Sequence, residues 1–338
     1  MQSPSSTSKV AGATGDTGAT VFIERILLPY LRDAQNTDGG WGFSRGAASR
    51  VEPTAWALLA LSELHSNQQT ADASARGFSC LEGSQLSDGF WPAVVGQNEG
   101  SWVTSLACWA LLVRGEAAGQ GAARGIEWLL KEKPGDAGLL WRMARRFTGS
   151  KRVAPQNPDY FGWSWTPGTA SWVEPTAYAL IVLDHAMNGG SAGGPVHRLP
   201  AGAVTRIEFA EKMLYDRMCP GGGWNCGNPL VYGAAGEPQV GPTAWALLAL
   251  RKKAARPEVE KSVEWLWMNR GQIRSTESMA LTLIALRAHG KNDPALRTAL
   301  IDLCLNDETL WTVPAAAWTA LAMSETSSWY TAQAERGD

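Results

Sequence analysis

Six stretches of this chain are apolar on nearly every side for two turns or more. Three of them open with the same phrase: Val51-Glu52-Pro53-Thr54-Ala55-Trp56-Ala57-Leu58-Leu59, Val173-Glu174-Pro175-Thr176-Ala177-Tyr178-Ala179-Leu180 and Val240-Gly241-Pro242-Thr243-Ala244-Trp245-Ala246-Leu247-Leu248. Looser copies follow at Glu277-Ser278-Met279-Ala280-Leu281-Thr282-Leu283-Ile284 and Pro314-Ala315-Ala316-Ala317-Trp318-Thr319-Ala320-Leu321, and Thr104-Ser105-Leu106-Ala107-Cys108-Trp109-Ala110-Leu111 fits with one residue of slack. A helix that is apolar all round must be buried all round. Each copy is preceded by a stretch with apolar positions on one helical face and charges on the other, near 19–35, 70–85, 119–132, 203–218, 257–270 and 293–305. Glu208-Phe209-Ala210-Glu211-Lys212-Met213-Leu214-Tyr215 has this pattern. The alternation predicts an all-α fold: a single (α/α)6 toroid over residues 19–325, with six outer amphipathic and six inner apolar helices around a central cavity.

The links from outer to inner helix are rich in Gly and Trp, as in Asp38-Gly39-Gly40-Trp41, Asp88-Gly89-Phe90-Trp91 and Gly221-Gly222-Gly223-Trp224. Glycine supplies the positive φ of a tight turn. Trp41, Trp91 and Trp224 are expected to fill the space between repeats. Two segments interrupt the alternation, at about 133–171 and 187–202, and the second is Gly- and Ser-rich. Residues 1–18 and 326–338 are expected to be tails.

Length adds little to this, since 338 residues would also suit two domains. Charge excludes more. A formal net charge of −2 gives no drive toward nucleic acid. No apolar run approaches the roughly 20 residues of a membrane span, and the N-terminus lacks the charged and apolar regions of a secretory signal, so a cytoplasmic location is expected. The five cysteines are scattered without a CxxC pair, which argues against both a disulfide framework and a zinc site. His65, His185 and His289 fall at the far ends of inner helices, where an imidazolium would complement the helix dipole.

The candidate chemistry lies at the inner-helix starts. Glu52, Glu174 and Glu277 stand at one register in repeats one, three and five, so a closed ring would bring three carboxyls to one mouth. Like charges gathered at an apolar mouth raise a carboxyl pKa and make an acid catalyst. An acid beside a first-turn proline is equally what a helix start prefers for its dipole, and both readings stay open. Trp56, Trp102, Trp172, Tyr178 and Trp245 are candidates to line the cavity. Arg142, Arg145 and Arg146, followed by Lys151 and Arg152, form a basic cluster ahead of Tyr160, Phe161, Trp163 and Trp165. It suits either diphosphate binding at the mouth or an amphipathic segment on the rim.

The Gly-Gly-Trp links followed by Ala/Leu-rich inner helices resemble the repeat of the terpenoid cyclase and protein prenyltransferase superfamily, the fold of squalene–hopene cyclase-type enzymes. The resemblance covers nearly the whole chain. It implies class II cyclisation, in which the central acid of an Asp-x-Asp-Asp motif protonates an alkene. Here Arg50-Val51-Glu52-Pro53 and Trp172-Val173-Glu174-Pro175 line up with that motif, so the acid falls on glutamate and both supporting aspartates are replaced. The zinc ligands of the prenyltransferases are replaced as well: the Asp-x-Cys positions hold Glu52 and Thr54, or Glu174 and Thr176, and the His position is Pro242.

The expectation is therefore a divergent class II-type terpene or isoprenoid cyclase. Its substrate is a prenyl chain or other hydrophobic small molecule, and its carbocations lean on aromatic faces. No metal or cofactor is expected, with Mg2+ entering only if the substrate carries a diphosphate. A transient membrane-surface contact and a protein partner are compatible with this reading. The alternatives are a non-catalytic lipid-binding or partner-dependent toroid, and a carbohydrate-active (α/α)6 enzyme using paired carboxylates.

Overall fold

The computed structural model describes residues 16–64, 67–94, 96–115, 119–148, 156–188, 199–200, 202–231, 233–307 and 311–324. His65, His197, Lys151 and Arg152, the far ends of both tails and most of the 187–202 insertion lie outside these residues.

The inner helices are α3 (Val51–Glu63), α5 (Val103–Val113), α8 (Val173–Asn188), α10 (Val240–Ala249), α12 (Thr276–Ala288) and α14 (Val313–Met323). Each packs on the next, and α14 packs back on α3, so the ring closes. The outer layer begins with α1 (Asp16–Phe22) and α2 (Leu28–Asp33), joined through a π-helical turn at Ile23–Leu27. It continues with α4 (Gln68–Gly83), α6 (Gly119–Lys131), α9 (Ala203–Asp216), α11 (Pro257–Asn269) and α13 (Pro294–Asn306). From α4 onward, each of these packs on the inner helix of its own neighbourhood. The structure is the all-α toroid the pattern predicts. Among the described residues the sole paired strands are a two-residue hairpin, Leu230–Val231 with Ala234–Ala235.

One device recurs where an outer helix hands over to an inner one. The Trp41 backbone N–H donates to Thr54 Oγ1 at 2.9 Å, and its indole Nε1–H donates back to Leu31 O at 2.7 Å. Trp91 does the same with Thr104 (3.1 Å) and Leu81 (2.8 Å). Trp163 uses Thr176 (2.9 Å) and Leu129 (2.8 Å), and Trp224 uses Thr243 (2.9 Å) and Leu214 (2.6 Å). Each clamp satisfies buried polar groups that would otherwise be costly and fixes an inner helix against the outer helix before it. Trp41, Trp91 and Trp224 are fully buried, as expected of packing residues. The clamp also sets the register of α5. Thr104 is the copy of Thr54, which makes Trp102 the copy of Glu52 and removes the one-residue slack. Close packing explains two glycines here. A Cβ on Gly77 would lie 2.5 Å from the Trp41 ring, and one on Gly162 would lie 2.0 Å from Thr176 Oγ1.

The 133–171 insertion is pinned at its root. Asp136, in a short 3-10 turn (Gly135–Ala137), is buried and accepts from Ser171 Oγ at 2.8 Å, Ser171 N at 3.1 Å and Arg217 Nη2 at 3.4 Å. From this root the chain forms an additional helix, α7 (Leu139–Thr148).

The two described histidines depart from the dipole reading. His185 is pushed down to about 4, first by burial and then by Arg251, and its Nδ1 lies 3.0 Å from Ile181 O. His289 is also lowered by burial, with Nε2 3.0 Å from Leu247 O. Each is a neutral ring hydrogen-bonded to a carbonyl, because desolvation outweighs attraction to the helix end.

Candidate active site at the mouth of the ring

The Thr register fixes two layers of side chains at one end of the ring. The outermost layer holds Glu52, Trp102, Glu174, Gly241, Glu277 and Pro314, one per inner helix. One turn deeper stand Trp56, Leu106, Tyr178, Trp245, Leu281 and Trp318. The deeper layer fills the middle of the ring. Trp56 and Trp318 have ring centroids 4.2 Å apart, Tyr178 and Trp245 4.5 Å, Trp245 and Trp318 5.0 Å, and Trp56 and Trp245 5.8 Å. Trp109 lies 6.0 Å from Trp56, and its ring also meets Trp245 and His185. All of these side chains are buried. The centre expected as a cavity is thus an aromatic plug, because large rings from α3, α8, α10 and α14 meet across it.

Over this plug sit the three glutamates. Glu52 is half-buried, and burial raises its carboxyl from 4.5 to about 7. The Trp56 indole N–H, hydrogen-bonding to it, pulls the other way, and the Glu277 charge pushes it up further. Glu174 is also raised by burial. Its carboxyl leans over Gly241, where a Cβ would lie 3.6 Å from Oε1. Glu277 is exposed and accepts from Thr312 Oγ1 at 3.4 Å. The Tyr178 hydroxyl is held well above its usual value by burial and then by the charges of Glu174, Glu52 and Glu277, so all three carboxyls act on one residue of the plug. Among the described residues, no backbone N–H donates to Glu52 or Glu174, and the cap of α12 is the Ser275 side chain. These two carboxyls do not act as hydrogen-bonded caps.

The other expected site residues divide. Trp102 stacks on Tyr178 at 5.5 Å and meets Trp165 edge-on at 5.0 Å. Trp56, Tyr178 and Trp245 are in the plug. Trp172 is half-buried, pairs its backbone with Trp163 and makes no ring contact with the cluster among the described residues. The arginines are elsewhere. Arg142 and Arg146 both pair with Asp159, which they hold below its usual pKa, and Arg145 lies over the Trp141 ring at 5.4 Å. No arginine is among the charges acting on Glu52 or Glu174. The aspartate that both arginines share lies in the insertion itself, beyond what the basic run announces.

Trp165, expected in the aromatic run of the insertion, meets Trp102 and Tyr178 at the mouth, and Trp318 and Trp109 join the cluster without having been named as cavity residues. The signal for Trp318 was present, since it stands four residues after Pro314 as Trp56 stands after Glu52. A further raised carboxyl, Glu132, lies behind Trp102. Burial lifts it to about 7 against the pull of Arg206, and Ser164 Oγ donates to it at 3.3 Å. Among the described residues no group of three His, Cys, Asp or Glu side chains converges as a metal ion requires. No described helix is long and apolar enough to cross a membrane.

No family profile matches the chain. In sequence it is 37% identical over 91 residues to lanosterol synthase from Mus musculus. It is 33% identical over 178 residues to drimenyl diphosphate synthase from Streptantibioticus cattleyicolor. These matches cover 24% and 52% of this chain but 12% and 29% of the relatives' own lengths. In fold it is similar to the type II terpene cyclase MstE from Scytonema in complex with merosterolic acid A, with a TM-score of 0.59 at 13% identity over 91% of this chain and 97% of that one. It is also similar to an alpha-amylase from Clostridium perfringens, with a TM-score of 0.56 at 12% identity over 89% of this chain and 96% of that one. At such identities a shared fold carries no chemistry by itself.

Proposed function

Taking as premise that the chain's likeness to the terpenoid cyclase superfamily holds in both fold and stretches of sequence, we propose that it is a divergent class II-type isoprenoid cyclase whose acid is a glutamate. The observation that carries the proposal is Glu52, a half-buried carboxyl lifted to about 7 and placed directly above an aromatic cluster. An acid catalyst must hold its proton at the working pH, and a pKa near neutrality keeps a proton on the carboxyl while leaving it transferable. Glu174 is shifted in the same direction by the same cause, burial, and the Glu277 charge adds to the upward shift of Glu52.

In this proposal the reacting alkene lies in the mouth layer, against Trp102 and Trp165, with Glu52 donating a proton to one of its carbons. The positive charge that develops on the other carbon faces Trp56, Tyr178, Trp245 and Trp318, whose π-faces stabilise cations. The plug excludes water from below, which strengthens that attraction and protects the cation from premature capture. Arg142 and Arg146 enter no step, since both are engaged with Asp159.

A second reading has its own support. Among the described residues large aromatic rings fill the ring centre, which favours a toroid that binds a hydrophobic ligand at its mouth without converting it, or that works with a partner.

One experiment separates them. Purified protein is incubated with geranyl, farnesyl and geranylgeranyl diphosphates, squalene and maltooligosaccharides, with wild type beside Glu52→Gln and Glu174→Gln. Products are read by mass spectrometry, and binding is read by tryptophan fluorescence. A cyclised product lost in Glu52→Gln with ligand binding retained supports the cyclase. Fluorescence changes without turnover of any isoprenoid move the assignment to the binding toroid. Cleavage of the sugar overturns both.

A further inference from the structure

The residue just ahead of the outermost mouth layer is valine in four copies: Val51, Val173, Val240 and Val313. Repeat five has Thr276 there, and repeat two has Ser101. Ser101 is 4% exposed, and its hydroxyl has no hydrogen-bond partner among the described residues. A cavity of about 10 Å3 lies against it, between the start of α5 and the end of α6. Its polar lining is Ser101, Ser105, Glu132 and Ser164, and Trp102 and Trp128 are among the side chains that close it. Glu132 carries a second unpartnered oxygen: its Oε2 is buried and finds no partner among the described residues. Its Oε1 meets Ser164 Oγ at 3.3 Å, but the single proton of that hydroxyl is also claimed by Thr166 O at 2.7 Å. Arg206, whose charge acts on Glu132, directs its Nη groups to Phe161 O and Gly162 O instead.

We propose that Ser101 and Glu132 together bind one water molecule in this cavity. The size fits, since about 10 Å3 is roughly the smallest space that holds a water. The chemistry fits as well. A buried hydroxyl and a buried carboxyl oxygen without partners each carry an unmet desolvation cost. A water meets both at once, donating to Glu132 Oε2 and sharing a hydrogen bond with Ser101 Oγ. The repeat supplies the comparison. Where valine stands, no side-chain polar group has to be satisfied at this position. The hydroxyl of Ser101 and the acid just past the end of α6 make repeat two the copy with a polar site. That site borders the mouth: Trp102 lines it, stacks on Tyr178 and meets Trp165, so the water lies one side chain behind the mouth cluster. Water binding here is independent of the chemistry proposed for the mouth glutamates.

The test compares two variants of nearly equal volume, Ser101→Thr and Ser101→Val. Threonine keeps the hydroxyl, whereas valine, the residue of four other copies, puts a methyl group in its place. With water bound, valine leaves Glu132 Oε2 stranded and should melt roughly 1.5–4 °C below threonine at neutral pH. In a dry cavity the order reverses, because valine fills the space without burying a hydroxyl. Valine melting at or above threonine would therefore overturn the proposal. A high-resolution crystal structure of the full chain reads the site directly. It should show a water about 2.7–3.2 Å from both Ser101 Oγ and a Glu132 carboxyl oxygen, and that density should be missing from Ser101→Val. A direct hydrogen bond between Ser101 and Glu132, or a cavity without density in the wild type, would equally sink the assignment.

Discussion

Replacing Glu52 with glutamine should stabilise the protein at alkaline pH and leave its stability unchanged in acid. The carboxyl sits at 4.5 when free in water and at about 7 in the fold, raised first by burial. The folded state therefore holds the proton more tightly than the unfolded chain. Below about pH 4.5 both states are protonated and the group has no effect. Between 4.5 and 7 the unfolded chain ionises first, so the contribution of Glu52 turns increasingly unfavourable. Above 7 both are ionised and the penalty is constant. A rise from 4.5 to about 7 amounts to roughly 3 kcal/mol at most, at ~1.36 kcal/mol per pKa unit. The partial exposure of the carboxyl reduces this to about 1–2 kcal/mol. Glutamine keeps an oxygen to accept from the Trp56 indole and carries no charge.

Thermal unfolding of wild type and Glu52→Gln, followed by circular dichroism from pH 4 to pH 8.5, reads this directly. The curves should coincide near pH 4 and separate through pH 5–7, with the variant melting roughly 1.5–3 °C higher by pH 8. A helix-capping carboxylate gives the opposite sign. Its pKa is depressed in the fold, so the variant would be less stable above about pH 4.5. A variant that melts lower at pH 8 would refute the buried-acid reasoning and with it the basis for Glu52 as proton donor.

Two further outcomes follow from the packing. Thr176→Val should cost about 1–3 kcal/mol in chemical denaturation, because it strands the buried Trp163 N–H now bonded to Thr176 Oγ1 at 2.9 Å; a loss below ~0.5 kcal/mol would mean that the clamp is dispensable in this repeat. Trp318→Ala should cost about 3–5 kcal/mol and leave an apolar void between Trp56 and Trp245. Farnesol should then bind more tightly than to wild type by calorimetry, and unchanged affinity would mean that the plug collapses into the void.

The repeat made most of the fold legible. The inner helices begin at Val51, Val103, Val173, Val240, Thr276 and Val313, and in every copy but the second this is the position just ahead of the Glu register. Inserted segments hid what the repeat did not announce. Trp41 and Trp91 stand 13 residues before their threonines, but the hairpin at 230–235 stretches the Trp224–Thr243 spacing to 19, and the long insertion separates Trp163 from Leu129 by 34. Those two clamps are therefore invisible to a fixed-spacing search. The plug was missed for another reason: apolar periodicity states that Trp56, Tyr178, Trp245 and Trp318 face inward, but says nothing of how far apart six helices stand. Whether four large rings line a space or fill it depends on that radius.

The outermost layer shows why the acids can coexist there. Around the ring the order is Glu52, Trp102, Glu174, Gly241, Glu277, Pro314, so acids alternate with uncharged residues and no two adjacent inner helices both present a carboxyl. Each spacer does something different. Trp102, stacked on Tyr178, stands on the helix between Glu52 and Glu174 and removes water from that side. Gly241 leaves the room into which Glu174 leans. Pro314 is compact, and across it Glu277 acts on Glu52, whereas no charge effect of Glu174 on Glu52 is resolved. The repeat builds six equivalent positions, and the chemistry proposed here arises where the copies differ. Substituting Gly241 with a larger residue should therefore disturb Glu174 and leave Glu52 nearly as it is, an asymmetry that a set of interchangeable helix caps would not produce.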